Sequence, residues 1–515
     1  MKDTLQLIIS QYSLIFFVHQ VLAIIGISMA GFVLMSLTVA SSRNTDTFDR
    51  NLLVLLSFPI GLALFVVCGI TVLTIGIPYN VFSVTGVSIV VIAITGIFSS
   101  FSLSKIKEIF TLKYLLLSLI IVIVLILISV SGIISISFSN DSMYYYYAYP
   151  HEIAYSGILT NKYDTFLTDA GQGTAIINTI PFLFGFNESF GIHTFFVMNF
   201  IAMFAYSLYT ESVKHYNARI SCVISAIFTL LMISMMPFVV LSKWILANIY
   251  FTGFVFIMLV VNKELVNKEN NILIIRSLLM MCISFIRIEG ALFVGFLVLT
   301  YLTTKEAKRN ELILLTVPAV ILQCMYFIRI FLLMNIQASD TFMTKEKALI
   351  AVLFNIFVVA YGCIFLKFSY SEKPCNAILK FIKKIIYTPE YVVFIGLVLV
   401  NAALFILDHK LFISNTIVFA VNLLQTGGWG LFPAILIGMI IIVPKVKIKD
   451  NYYDYFWIGF LLLAFAACFA RGDELRADIN DSGNRVMLQI VPFVIYAFGY
   501  RFIKAFDILF RKEQE

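Results

Sequence analysis

Charge is scarce in this sequence. Lys, Arg, Asp and Glu supply 13% of its 515 residues, against roughly a quarter in soluble domains, while apolar residues supply 61%. With a mean hydropathy of +0.98, a soluble domain with a polar surface is excluded. No stretch leaves room for a large soluble domain. The longest polar-containing one, 137–190, is itself rich in aromatics. Cysteine is sparse too. Cys68, Cys222, Cys282, Cys324, Cys363, Cys375 and Cys468 lie almost all in apolar runs and none has metal-ligand spacing. A disulfide framework and a zinc site are therefore not expected. No P-loop, GxGxxG, HExxH or GxSxG stands in a usable context, which argues against a self-powered ATP pump and against a cytoplasmic nucleotide-sugar enzyme.

What is present is a series of apolar runs long enough to cross a bilayer. Spans are expected near 12–40, 52–76, 81–101, 112–136, 191–209, 218–237, 244–262, 312–335, 348–368, 389–408, 428–444, 454–470 and 486–508, about thirteen in all. The fold class is thus an all-α, polytopic transmembrane helical bundle. The first run is too long for a cleavable signal and is expected to remain as a helix. The net charge of +7 is no nucleic-acid footprint, because Lys and Arg collect in short loops between spans. One set of loops holds Arg43, Lys105, Lys214, Lys268, Lys305, Lys373, Lys445 and Arg511 with their neighbours; the other set is far poorer in basic residues. The positive-inside rule then puts the N-terminus outside, the C-terminus in the cytoplasm, and loops 137–190 and 471–485 outside. Ile-, Lys- and Phe-rich usage fits a low-GC bacterium, so the expected location is a bacterial plasma membrane, multi-pass.

Segment 273–302 is apolar and flanked by basic residues on both sides. A single crossing would invert every later loop. A short re-entrant hairpin turning at Arg287-Ile288-Glu289-Gly290 keeps the charge rule intact, with irregular backbone buried in protein as the bilayer requires.

Chemistry is expected on the outer loops. Asp141 follows a span, where a carboxylate meets both a lipid head group and a water-borne acceptor; it suits a general base, or a cap for the following helix. Tyr144 to Tyr147, with Tyr145 as a candidate acceptor contact, read either as an interfacial belt or as faces for a sugar ring. His151 and Glu152 suit acid–base support, metal ligation or a solvated helix face, and Asp169 is a weaker candidate of the same kind. Arg287 and Glu289 read as an ion pair that fixes the turn, or Arg287 as a fork for a lipid phosphate. Arg471, Arg476 and Arg485 stand on a face otherwise poor in basic residues. They read as salt-bridged loop residues, or, for Arg485 above all, as contacts for a pyrophosphate.

The order of these segments resembles the GT-C superfamily of membrane glycosyltransferases. Asp141-Ser142-Met143-Tyr144 through Gly157 resembles the family's first outer loop. Gly171-Gln172-Gly173 to Pro181-Phe182-Leu183-Phe184-Gly185 resembles the end of that loop. The turn Arg287-Ile288-Glu289-Gly290 and the stretch Gly483-Asn484-Arg485 resemble its basic turn and its late arginine motif. The resemblance covers roughly 112–310 and 470–500. It implies residues 1–110 as an added N-terminal module, 111–310 as the core with the catalytic loop, and 311–515 as C-terminal helices. It further implies a polyprenyl-phosphate-linked sugar as donor and a glycan, lipid or protein as acceptor, with no nucleic acid involved. Asp141 would be the base, His151, Glu152, Tyr145 and Asp169 its support, and Arg287, Arg476 and Arg485 the donor-phosphate ligands. No metal site is assigned, and a divalent cation is the one cofactor left open. Unlike many members, the chain has no acidic residue in the outer segment 242–248. An envelope polysaccharide polymerase or ligase, and a lipid-linked sugar flippase or transporter, share the same broad features.

Overall fold

A computed structural model describes residues 14–40, 49–98, 140–160, 164–185, 190–265, 272–302, 307–337, 343–368, 389–442, 457–463, 465–466, 475–478 and 482–512, with a few isolated positions between. All regular structure among these is helical, and no strand occurs among them. The expected span 112–136 falls almost wholly outside the described residues, as do Arg471 and most of the basic loops.

Among the described residues seven helices are long and apolar enough to cross a membrane: Val18–Thr38, Asn51–Ile75, Val81–Phe98, Gly191–Val213, Arg309–Leu333, Lys345–Lys367 and Gly483–Asp507. A pair bent by 118°, Val392–Leu407 and His409–Thr426, makes an eighth if it is one span. No span is expected from sequence over the second arm of that pair. Four further apolar helices are shorter, among them Ile272–Ile286 with 15 residues and Gly290–Leu302 with 13. At 1.5 Å per residue these reach only about 20–23 Å, less than the roughly 30 Å of a hydrocarbon core.

The chain divides into two compact units. The first comprises Met1–Met203, Lys243–Gly290 and Val317–Leu349; the second comprises Phe204–Ser242, Ala291–Thr316 and Ile350–Glu515.

The first unit is built on α1 (Leu14–Ala40) and α2 (Arg50–Ile75). Asp49 caps α2 by accepting from the N–H of Asn51 at 3.0 Å, and Gly76, at φ 85°, ends it. The two helices cross at glycines. A Cβ on Gly31 would overlap the Ser57 carbonyl and stand 3.0 Å from Gly61 Cα, and one on Gly61 would overlap the Ile27 carbonyl. Small residues let backbones approach in this way where no hydrophobic force drives helices together. Pro59 lies inside α2 and cannot bond the carbonyl four residues back, that of Leu55. Asn199 Nδ2 donates to that carbonyl at 3.0 Å, so the gap is filled within the bundle. The helix after α2 is α3 (Val81–Phe98), whose Phe82, Ile97 and Phe98 are 76–88% exposed, as a lipid-facing helix requires.

Next in the first unit come α4 (Asn140–Met143), a π-helical turn (Tyr144–Ala148), α5 (Tyr149–Ser156), α6 (Asp164–Asp169) and α7 (Gln172–Leu183). Then follows α8 (Phe190–Val213), which runs on into the second unit. In the second unit, α9 (Ala218–Ile233) packs on the last helix, where Phe228 meets Phe498 and Phe502 at 5.9 and 5.7 Å between ring centroids.

Candidate functional site

The acidic segment is one helical run with a π turn inside it. Asp141 stands in the first turn of α4, half-buried, where a carboxylate faces the positive end of the helix. It lies within the helix and not at its cap. Tyr145, in the π turn, packs edge-on against Phe166 at 4.7 Å. His151 is exposed, with its ring edge-on to Phe182 at 5.0 Å, and Glu152 forms a loose ion pair with Lys162 at 3.8 Å. Asp169 ends α6 and is half-buried.

One buried tyrosine ties this run to the rest of the loop. Tyr149 Oη donates to Gln172 Oε1 at 2.9 Å, and Gln172 Nε2 donates onward to the Phe166 carbonyl at 2.7 Å. Burial pushes the Tyr149 phenol above the ordinary tyrosine range, and the bond to Gln172 offsets part of that. Gly157, at φ 70°, closes α5, and its carbonyl accepts from the N–H of Tyr79 at 2.7 Å. Tyr79 in turn shares a 2.5 Å hydrogen bond with Thr179 on α7. Tyr326 Oη donates to the Leu167 carbonyl at 2.9 Å, and the N–H of Met343 to that of Thr168 at 3.2 Å, so two further segments hold α6.

The start of α7 abuts the end of the helix Ile272–Ile286. Thr174 Oγ1 donates to the Ile286 carbonyl at 2.9 Å. A Cβ on Gly171 would overlap that carbonyl oxygen and stand 2.8 Å from Arg287 Cα; one on Gly173 would stand 3.0 Å from the Phe285 carbonyl. Glycine is needed here for space, since Gly171 has an ordinary φ of −70°. Residues 172–181 of α7 are all buried, including Gln172, Thr174, Asn178 and Thr179. Just past this junction Glu289 takes Arg287 in a two-pronged ion pair, Nε to Oε2 at 3.0 Å and Nη2 to Oε1 at 2.7 Å. Both side chains keep partial exposure, at 18% and 27%.

The structure therefore brings together three segments singled out from sequence: 140–157, 171–185 and 287–290. Asp141, Tyr145, His151, Glu152, Asp169 and Arg287 all belong to the first unit. Arg476 and Arg485 belong to the second.

In the second unit, asparagines hold the described part of loop 471–485. Asn415 Oδ1 accepts from the N–H of Leu475 at 2.9 Å, and Asn422 Nδ2 donates to the Arg476 carbonyl at 2.8 Å. Asn484 Oδ1 accepts from Trp429 Nε1 at 2.9 Å, while its Nδ2 donates to the Asp478 carbonyl at 2.6 Å. The backbone of 475–478 is thus fixed from three helices or turns, with the Arg476 side chain left exposed and Arg485 half-buried. Asn415, Asn422 and Trp429 carried no functional signal in the sequence. A lone Asn in an apolar run shows only that a buried polar group needs a partner.

Among the described residues no three His, Cys, Asp or Glu side chains are grouped to hold a metal. Compared with protein-family models, characterised proteins and solved structures, the chain has no significant match to any of them.

Proposed function

We propose that the chain is a membrane glycosyltransferase of GT-C type, moving a sugar from a polyprenyl-phosphate-linked donor to an acceptor at the outer face of a plasma membrane. The joining of segments 140–157, 171–185 and 287–290 in one unit is the observation that supports this reading most. It joins a helical run that carries Asp141, a glycine-lined buried helix and a basic turn, as the reading requires. In this reading Asp141 takes the proton of the acceptor hydroxyl, whose oxygen attacks the anomeric carbon. The bond from that carbon to the phosphate oxygen breaks, and the departing polyprenyl phosphate carries off the electron pair. Arg287, in the same unit as Asp141, offsets its charge. Glu289 holds one edge of its fork. Tyr145, His151, Glu152 and Asp169 shape the acceptor side.

The same proposal carries about thirteen spans, a re-entrant hairpin at 273–302, an outer N-terminus and a cytoplasmic C-terminus. The hairpin reading draws support from two helices too short to cross alone, separated by a three-residue turn at 287–289.

The direct test supplies radiolabelled polyprenyl-phosphate sugars to membranes containing the chain. Label should move to an acceptor with the wild type, and Asp141→Asn should slow transfer by about 10²–10⁴-fold, the usual worth of a general base. Full transfer by that variant would remove Asp141 from the chemistry.

One observation favours a second reading, a transporter of lipid-linked sugars. Two short helices meet end to end at Gly171 and Ile286, deep among buried residues, and broken helices of this kind line the substrate sites of secondary transporters. Label crossing the membrane unchanged, with no transfer, would favour it.

A further inference from the structure

Arg329 takes no part in the proposed chemistry, yet its setting asks for a ligand. It lies in the π-helical end, Ile328–Leu333, of the span that begins at Arg309. Its guanidinium lies over Gly76, the glycine that ends α2. A Cβ on Gly76 would stand 3.4 Å from Nη2 and 3.6 Å from Nη1. The residue is half-buried and its Nε is sealed from solvent with no hydrogen-bond partner. Among the described residues no carboxylate pairs with it. A guanidinium keeps its charge and offers five donors, and charges removed from water are normally paired.

The negative end of α2 is the simplest candidate partner. Two of its carbonyls are already engaged, however: Val72 and Leu73 accept from the N–H of Gly76 at 3.1 and 3.3 Å, and Val72 also from that of Ile77 at 3.1 Å. The helix end therefore offers a partial charge but takes no hydrogen bond from Arg329.

The surroundings narrow the ligand. Two apolar banks flank the guanidinium. Ile75 and Ile77 on the α2 side are 55% and 41% exposed; Ile328, Leu332 and Leu333 on the other are 48%, 58% and 68% exposed. Both banks belong to membrane-length helices or their ends. A free phosphate ion would bring nothing to cover them. A molecule with an anionic head and two hydrocarbon chains satisfies the cation and both banks at once.

We propose that Arg329 holds the phosphate of an anionic glycerophospholipid of the bilayer, with one acyl chain on each bank. The fork suits two phosphate oxygens, which a lysine ammonium meets only as a point charge. This site is independent of the transferase reading and stands whether or not Asp141 is a base.

The test is native mass spectrometry of the detergent-purified full chain titrated with phosphatidylglycerol. Diacylglycerol, which lacks the phosphate, serves as one control and polyprenyl phosphate as another. The wild type is expected to retain one phosphatidylglycerol more tightly than any diacylglycerol, and Arg329→Gln to bind it about tenfold more weakly. Arg329→Lys, which keeps the charge and the fold, should fall between the two. Equal binding by wild type and Arg329→Lys and Arg329→Gln overturns the site, as does equal retention of diacylglycerol. Arg329-dependent binding of polyprenyl phosphate alone overturns the phospholipid assignment. Should Arg329→Gln not fold, the comparison of wild type with Arg329→Lys still decides: an unchanged affinity refutes the fork.

Discussion

Consider alanine at position 171. Gly171 has φ −70° and ψ 108°, which alanine adopts freely, so backbone strain plays no part. The cost is space alone. The new methyl would overlap the Ile286 carbonyl oxygen and stand 2.5 Å from its carbon. A normal carbon–carbon contact is about 3.5 Å, so the start of α7 and the end of Ile272–Ile286 must part by at least about 1 Å. Both sides of the contact are backbone, and neither has a flexible end to swing away. The bond from Thr174 to Ile286, 2.9 Å long, would then stretch beyond useful length. Overpacking costs about 1–3 kcal/mol and a hydrogen bond inside a membrane protein about 0.6 kcal/mol, so Gly171→Ala should destabilise by about 2–3 kcal/mol. Thr174→Val loses only the bond, about 0.6 kcal/mol. Gly173→Ala meets the Phe285 carbonyl at 3.0 Å, a shift of tenths of an ångström, and alanine in a helix returns up to about 1 kcal/mol. It should be near neutral. Reversible unfolding of the purified chain in mixed detergent–SDS micelles, followed by circular dichroism, gives the order. The reasoning fails if Gly171→Ala lies within about 0.5 kcal/mol of wild type, or if the two glycine variants behave alike.

Three other outcomes follow from the same geometry. Asn484→Ala should free the 475–478 segment by leaving the buried Trp429 N–H and the Asp478 carbonyl unpaired, at about 1–3 kcal/mol; faster hydrogen exchange at the Leu475 amide is the readout, and unchanged exchange would exclude the asparagine scaffold. Burial raises the Tyr79 and Tyr149 phenols above their unfolded value near pH 10, so their contribution is fully present below that pH and declines as pH rises above it, by about 1.4 kcal/mol per unit for each phenol that ionises on unfolding. Stability measured from pH 8 to 11 should hold level and then fall, and Tyr149→Phe should make the fall shallower. Finally, Gly61→Ala should part α1 from α2 and lower the midpoint of SDS unfolding, whereas Gly86→Ala, with open space around it, should not.

The helical class was readable because the bilayer imposes it: an apolar run without charge has few other ways to satisfy its backbone. The long helices over 14–40, 50–75 and 81–98 follow the hydrophobic runs closely. Helix length was harder to read than helix existence. Run 218–237 looked long enough to cross, yet its helix, Ala218–Ile233, stops there and a second, Met236–Lys243, begins after Ser234 and Met235. A break costs nothing in hydropathy, so a count of apolar residues does not see it. The arm His409–Thr426 was passed over for the opposite reason: Asp408, His409 and Lys410 at its start resemble a loop, although the Asp408 side chain caps the helix. Within the site, Gly171 and Gly173 stood out as glycines, but their partners Ile286 and Phe285, more than a hundred residues on, leave no trace in a local pattern. The Arg287–Glu289 pair was legible as a pairing because the two residues share one turn. The asparagine ties of the second unit were not legible, because three of the four join residues 54 to 60 positions apart.

The crossing of α1 and α2 has a consequence for how the protein is made. Its contact is between neighbouring helices, sealed by Gly31 and Gly61, and it needs no residue beyond position 75 to close. A ribosome-bound chain that has released only these two helices into the membrane already holds every residue of that crossing, with the Leu55 carbonyl still to be met by Asn199. Such local pairs form early, since little loop entropy opposes them. Helices synthesised later, α7 and Ile272–Ile286 among them, then arrive at a surface that is already in place.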